Sequence, residues 1–216
     1  MTVICRFCDI SCLKEDVLFQ YYLASLPWQN RKEKVMAFRH PHDRQRSLGA
    51  GILLKLSLEE AGIQDQRLSL TRHGKPVLVQ DSGIDFSLSH SGNYAVCAIS
   101  DRMVGADTEQ IQTPRHALAR RFFHPEEQAF LAQAEDPCDA FTRIWTRKES
   151  FLKRSGTGLA ADLTGFSVTG DLKDGKGEAV QFHELSLPGH LLCVCTGAEE
   201  KVRFLPVDLH LSYSAY

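Results

Sequence analysis

The stretch Val104–Gln110, VGADTEQ, sets two carboxylates two residues apart, directly after the apolar run YAVCAIS (94–100). On an extended chain residues i and i+2 point to the same side, so Asp107 and Glu109 would share one face. Like charges that close repel unless water surrounds them or a cation lies between them. An edge strand with a wet face is the ordinary account, since charge there blocks unwanted pairing. A hard-cation site is the chemical one, since Mg2+ takes one or two protein carboxylates together with phosphate oxygens.

A second set of chemical groups lies in RIWTRKESFLKRSG (143–156). Glu149 and Lys153 are spaced i, i+4 and share a helix face, Trp145 stands one turn earlier, and Lys148 projects from a neighbouring line. A solvated amphipathic helix would contain the same pair. In FSLSHSGN (86–93) a strand runs into a polar turn at Ser89, His90 and Ser91, groups able to hold a phosphate. His73-Gly74-Lys75-Pro76 is a turn with a lysine at its tip. Arg31, Lys32, Lys34, Arg39, Arg44 and Arg46 cluster with His40 and His42 against only Glu33 and Asp43, which suggests a local anion site. The chain has no G-x-x-x-x-G-K-[ST] loop, no G-x-G-x-x-G, no G-x-S-x-G and no H-E-x-x-H. What remains is acids plus cations, which suits Mg2+-assisted phosphoryl-type transfer.

The elements that must position these groups follow from periodicity. The 216 residues are 43% hydrophobic and 24% charged, with a net charge of -2. That composition argues for a packed globular chain and against a general nucleic-acid binder. No apolar run reaches membrane-spanning length, and the start MTVICRFCDISC lacks a basic n-region and a long apolar h-region. Seven cysteines without an export signal read as reduced thiols of a cytoplasmic protein. Cys5, Cys8 and Cys12 have no second pair to complete a zinc site and read as structural thiols.

Strands are expected at 2–10, near 67–71, at 84–89, 94–100 and 103–109, then near 165–169, 179–185, 191–196 and 201–208. Helices are expected at 13–26, from Pro41 to the stop at Gly62, after Thr113-Pro114, after His124-Pro125, and at 138–155 ended by Gly156. Each half thus reads strand, helices, strands. The expected fold class is α+β: two similar α+β halves, 1–102 and 103–216, packed tightly without a low-complexity linker.

Taken together, HGKP (73–76), FSLSHS (86–91), VGADTEQ (104–110), RRFFHPEE (120–127) and WTRKESFLK (145–153) resemble the 4'-phosphopantetheinyl transferases, specifically the long, surfactin-synthetase-activating class. That family carries a G-[VI]-D-x-E strand and a W-x-x-K-E-[AS]-x-x-K helix about forty residues apart. Here 42 positions separate Asp107 from Glu149, and Ala106 replaces the usual Val or Ile. The resemblance implies pseudo-twofold symmetry between the halves, a site between them and a monomer. It implies Mg2+ held by Asp107, Glu109 and Glu149, which also binds the pyrophosphate of coenzyme A. Glu149 is the implied base, Lys153 the group that steadies phosphate charge or protonates the leaving group, and Glu127 an acid near the metal. Lys75, Ser89 and His90 are implied at the nucleotide and phosphates, Arg46 and Ser47 at the 3'-phosphate and adenine, with Arg31, Lys34 and Lys148 as further phosphate contacts.

The implied reaction moves phosphopantetheine from coenzyme A to a serine of an apo acyl or peptidyl carrier protein. Residues 112–123 (QTPRHALARRFF) would dock that carrier, with Arg115, Arg120 and Arg121 beside Leu118, Phe122 and Phe123. Two other readings use part of the same inventory: a Mg2+-dependent phosphodiester hydrolase, and a non-catalytic module that binds coenzyme A or a carrier protein. The module would not need Glu149 and Lys153.

Overall fold

Alternation decides the first strand. β1 (Thr2–Asp9) sends Val3, Cys5 and Phe7 to one side and Ile4 and Cys8 to the other, the two-residue period of a strand buried on both faces. The structure, a computed structural model, describes residues 2–158 and 162–210. After a 3-10 turn at Ser11–Lys14 come α1 (Asp16–Ser25), α2 (Gln29–Ala37) and α3 (Pro41–Glu60). β2 (Leu68–Leu70) and β3 (Pro76–Leu78) make a separate hairpin, and β4 (Asp85–Ser91) and β5 (Tyr94–Ser100) complete the first half.

The second half repeats the plan. β6 (Gly105–Gln110) is followed by α4 (His116–Phe122), α5 (Pro125–Gln133) and α6 (Pro137–Ser155), then by β7 (Val180–Leu187), β8 (His190–Gly197) and β9 (Lys201–Pro206). One sheet has the order β4-β5-β1-β9, the other β6-β8-β7. Within each half the opening strand pairs antiparallel with the second strand of the closing hairpin: β1 with β5, and β6 with β8. The equivalent long helices, α3 and α6, both start on proline, which has no N–H to leave unpaired at a helix start. β9 breaks the repetition by crossing back to pair parallel with β1.

The sheets pack face to face. Val3, Cys5, Val96 and Ala98 of the first meet Ala106, Leu192 and Val194 of the second, with Val104 just before β6. The outer face of the first sheet (Cys8, Ala95, Cys97, Ile99) is covered by Leu48, Ile52 and Leu53 of α3. Cys193 on the outer face of the second lies within 3.5 Å of the Ser150 hydroxyl of α6. The result is four layers, helix, sheet, sheet, helix, of mixed α+β class. Cys5 and Cys8 are packing residues in these cores, and burial pushes both thiols up.

Two expected elements differ, and α2 was not among the expected helices. The strand near 165–169 does not form; a 3-10 turn at Leu163–Gly165 leads into irregular chain. Its backbone groups are used elsewhere: the Leu163 and Phe166 carbonyls accept from Lys148, and the Val168 N–H donates to Glu127. The helix after Thr113-Pro114 starts two residues later, at His116, without a side-chain cap. α2 has only Val35 buried, so it carries no apolar stripe from which to infer it.

Candidate active site

Gly105 explains how strand β6 and helix α6 come close enough to share a site. A Cβ there would lie 1.8 Å from the Ser150 carbonyl oxygen and 2.5 Å from the Arg154 nitrogen, both α6 backbone. Only glycine permits that approach. Asp107 and Glu109 follow at i+2 and i+4, on the face turned toward α6, while Ala106 on the opposite face enters the core between the sheets. From α6, Glu149 and Lys153 line the same cleft as Asp107 and Glu109.

Asp107 is 3% exposed. Its Oδ1 accepts from Lys153 Nζ at 2.6 Å and from Ser89 Oγ at 2.7 Å, while Oδ2 is buried without a partner. Glu109 Oε2 accepts from Ser91 Oγ at 2.8 Å. Burial, then the charge of Asp107, raises the Glu109 pKa. Burial, then Asp107, pushes Glu149 up to about 7, with Glu109 adding and Lys153 opposing. The three carboxylates thus repel one another across the cleft. Among the described residues no three His, Cys, Asp or Glu side chains close into a metal site; Lys153 takes one oxygen of Asp107, and Ser91 holds Glu109. The donor set still fits a hard cation. It is all oxygen, it is short of positive charge, and it includes one buried carboxylate oxygen with nothing bound to it.

The opposite wall is basic. Arg31, Lys34, Ser47 and His90 line the acid-bearing lobe of about 440 Å3, and His73, Gly74 and Lys75 line an adjoining lobe of about 480 Å3. Pro76, Leu88, Glu149 and Lys153 border both lobes. The Arg31 guanidinium lies against Gly51, where a Cβ would come within 2.7 Å of its Nε. Its Nη2 donates to the Ser47 carbonyl at 3.0 Å, its Nε is unpartnered, and burial lowers its pKa to about 10. Arg46 is paired to Asp43 and keeps a buried, unpartnered Nε. His90 has an exposed side chain at the cleft. Even so, the surrounding protein first, and then the charges of Arg46, Lys153 and Arg31, hold its pKa at about 4, so it is neutral at pH 7. Lys75 Nζ pairs with Asp85 at 2.9 Å.

Three expected site residues line neither lobe: Arg46, paired to Asp43, and Glu127 and Lys148. Glu127 and Lys148 form a sealed pair at 2.9 Å, with side chains 0% and 1% exposed. Glu127 also accepts from the His124 and Val168 N–H groups, both at 2.8 Å, the first completing the capping box of α5. Lys148 donates to the Leu163 and Phe166 carbonyls and sits 4.1 Å from the Phe166 ring centre. Neither residue lines the cleft, and neither has a group to spare. An acid three residues into a helix and a lysine beside Glu149 look alike in sequence whether they face the cleft or the core.

Ser89 does reach the site, as a hub. Its hydroxyl donates to Asp107 and accepts from Lys153 at 2.9 Å, so its single proton is already used. In the expected docking segment Arg115, Arg120 and Arg121 are exposed and Leu118 and Phe122 are half-buried. Phe123 is fully buried, stacked on Phe141 with ring centres 5.3 Å apart, and is a core residue instead of a surface anchor. Residues absent from the sequence reading are Phe38 and Leu88, which line the cleft, while Ser91, expected as a phosphate-holding hydroxyl, instead donates to Glu109. The i+2 spacing of Ser87, Ser89 and Ser91 was the available signal.

Comparison with known proteins shows the family. The profile described as the 4'-phosphopantetheinyl transferase superfamily matches residues 103–197, and that of the 4'-phosphopantetheinyl transferase N-terminal region matches 15–102. A 4'-phosphopantetheinyl transferase of Bacillus subtilis is 35% identical over 67% of this chain and 66% of its own length. The Sfp protein of Bacillus subtilis strain 168 is 33% identical over 64% of each chain. The psf-1 protein of Bacillus pumilus is 34% identical over 81% of this chain and 82% of its own. The match thus spans about two thirds of the length of the first two relatives and four fifths of the third. The chain belongs to the 4'-phosphopantetheinyl transferase family.

Proposed function

We propose that this chain transfers the 4'-phosphopantetheine group of coenzyme A to a serine hydroxyl of an acyl or peptidyl carrier protein, releasing adenosine 3',5'-bisphosphate. The observation that carries the reading is one cleft with carboxylates Asp107, Glu109 and Glu149 on one wall and Arg31, Lys34 and His90 on the other. The names of the relatives support it. Asp107, Glu109 and Glu149 would hold Mg2+, which would supply positive charge to the attacked diphosphate and its leaving group.

The chain's own residues do the rest. Arg31, Lys34 and Lys75 line the two lobes and add positive charge around the nucleotide, with Arg46 close enough to act on His90. Glu149, on the carboxylate wall of the cleft, is the candidate to take the serine proton. The serine oxygen bonds to the phosphorus that carries pantetheine as the bond from that phosphorus to the bridging oxygen breaks. Lys153 lies where it can neutralise the departing phosphate. Arg115, Arg120 and Arg121 are the docking charges for an acidic carrier helix, with Phe122 and Leu118 beside them.

In this reading residues 1–102 present the nucleotide contacts and 103–216 the acids. A monomer suffices, because both walls belong to one chain. No helix among the described residues is long and apolar enough to cross a membrane, and the seven cysteines are free, which suits a reducing cytoplasm. Purified protein with Mg2+ and coenzyme A should add one phosphopantetheine to an apo carrier, read by intact-mass spectrometry. Unchanged mass across fatty-acid, polyketide and peptide carriers rejects the reaction.

A further inference from the structure

β6 is an edge strand of its sheet: β8 pairs with one side of it, and among the described residues no strand pairs with the other. Its outward N–H groups are nonetheless taken up by side chains of β4 in matching register. Val104 N–H donates to Asp85 Oδ2 at 2.9 Å, Ala106 to Ser87 Oγ at 2.9 Å, Thr108 to Ser89 Oγ at 3.4 Å and Gln110 to Ser91 Oγ at 3.2 Å. Every second residue of DFSLSHS therefore serves every second amide of β6, as a neighbouring strand's carbonyls would.

At the cleft end the same side chains also donate. Ser89 Oγ gives its proton to Asp107 Oδ1 at 2.7 Å and Ser91 Oγ gives its proton to Glu109 Oε2 at 2.8 Å. Two serines at i and i+2 of one half thus grip two acids at i and i+2 of the other. A flexible glutamate with no such partner would spread over several rotamers, and ordering it would weaken any ion it was asked to hold. Hydrogen-bond partners of metal-binding carboxylates commonly matter about 10–100-fold in affinity.

We propose that Ser91 is a positioning residue, which holds the Glu109 carboxylate in the cleft for a divalent cation while the Asp85–Ser87–Ser89–Ser91 ladder fixes the strand beneath it. This deepens the proposed function and rests on its assignment of Glu109 as a ligand. The test uses Mn2+ as the probe, with coenzyme A present, and follows binding by water-proton relaxation in wild type, Ser91→Ala and Ser91→Thr. The expected result is about tenfold weaker Mn2+ binding in Ser91→Ala, near-normal binding in Ser91→Thr, and thermal midpoints within a few degrees of each other. Equal Mn2+ affinity in wild type and Ser91→Ala overturns the inference. So does weakening that Ser91→Thr fails to restore, since the hydroxyl would not be the cause. Wild-type protein that binds no Mn2+ overturns it as well. The carrier-modification assay on wild type separates that failure from failure of the proposed reaction, because it reads transfer and the relaxation measurement reads only the ion.

Discussion

Helix α6 carries two lysine–carboxylate pairs five residues apart, and they are opposites. Lys148–Glu127 is sealed, with side chains 1% and 0% exposed and every polar atom matched. Lys153–Asp107 opens on the cleft, the lysine 29% exposed and Asp107 Oδ2 left without a partner. The charged groups are the same, an ammonium and a carboxylate, and the chemistry is different. A saturated pair has nothing left to offer a substrate, whereas a pair with an unfilled oxygen and a partly exposed ammonium can exchange partners. Burial alone therefore does not mark an active-site acid; leftover hydrogen-bonding capacity does.

The sharpest way to break this comparison is to remove a cation from each pair. Lys148→Ala leaves Glu127 charged in the core and should cost about 3–5 kcal/mol in urea unfolding, by far the larger stability loss. Lys153→Ala should cost less than Lys148→Ala, because Lys153 is 29% exposed and Ser89 still donates to Asp107, while transfer falls. If both variants unfold alike, the two pairs are not of different kinds.

Glu149→Gln should lower the transfer rate by about a hundredfold or more, measured on an apo carrier at saturating coenzyme A. Normal turnover removes Glu149 as the base. The same variant tests the electrostatics. The folded-state pKa of Glu149, about 7, lies above its ordinary value near 4.5, so the folded protein holds that proton more tightly. The resulting stabilisation is complete below about pH 4.5 and is lost as pH rises through about 7. Metal-free Glu149→Gln should therefore gain on wild type by about 2 kcal/mol between pH 4 and pH 8, by denaturant titration. A pH-independent difference would mean the acid is not desolvated.

A smaller effect is expected on the basic wall. Lys75→Ala should raise the KM for coenzyme A about fivefold with kcat little changed, since this lysine borders the second lobe and already has Asp85 as partner. An unchanged KM removes it from the nucleotide site.

Much of the architecture was legible in the chain. The alternation in 2–9, the apolar run at 94–100, the proline starts at Pro41 and Pro125 and the glycine stop at Gly156, whose φ is 69°, are local signals with local causes. The acids of the site were legible because i+2 on a strand and i+4 on a helix fix which side chains share a face. α2 was not legible because a helix with one buried residue has no stripe, and the strand near 165–169 was misread because its apolar residues serve a buried ion pair.

What the sequence by itself determined was local: which residues can share a face, where helices begin and stop, and that acids and cations are the available chemistry. Only the tertiary structure decided which charges remain free. It turned Glu127 and Lys148 into a sealed clamp, made Ser89 a hub, and set the serines of β4 against the amides and acids of β6. Partner satisfaction is a property of groups distant in the chain, and no spacing rule along one strand or helix can count it.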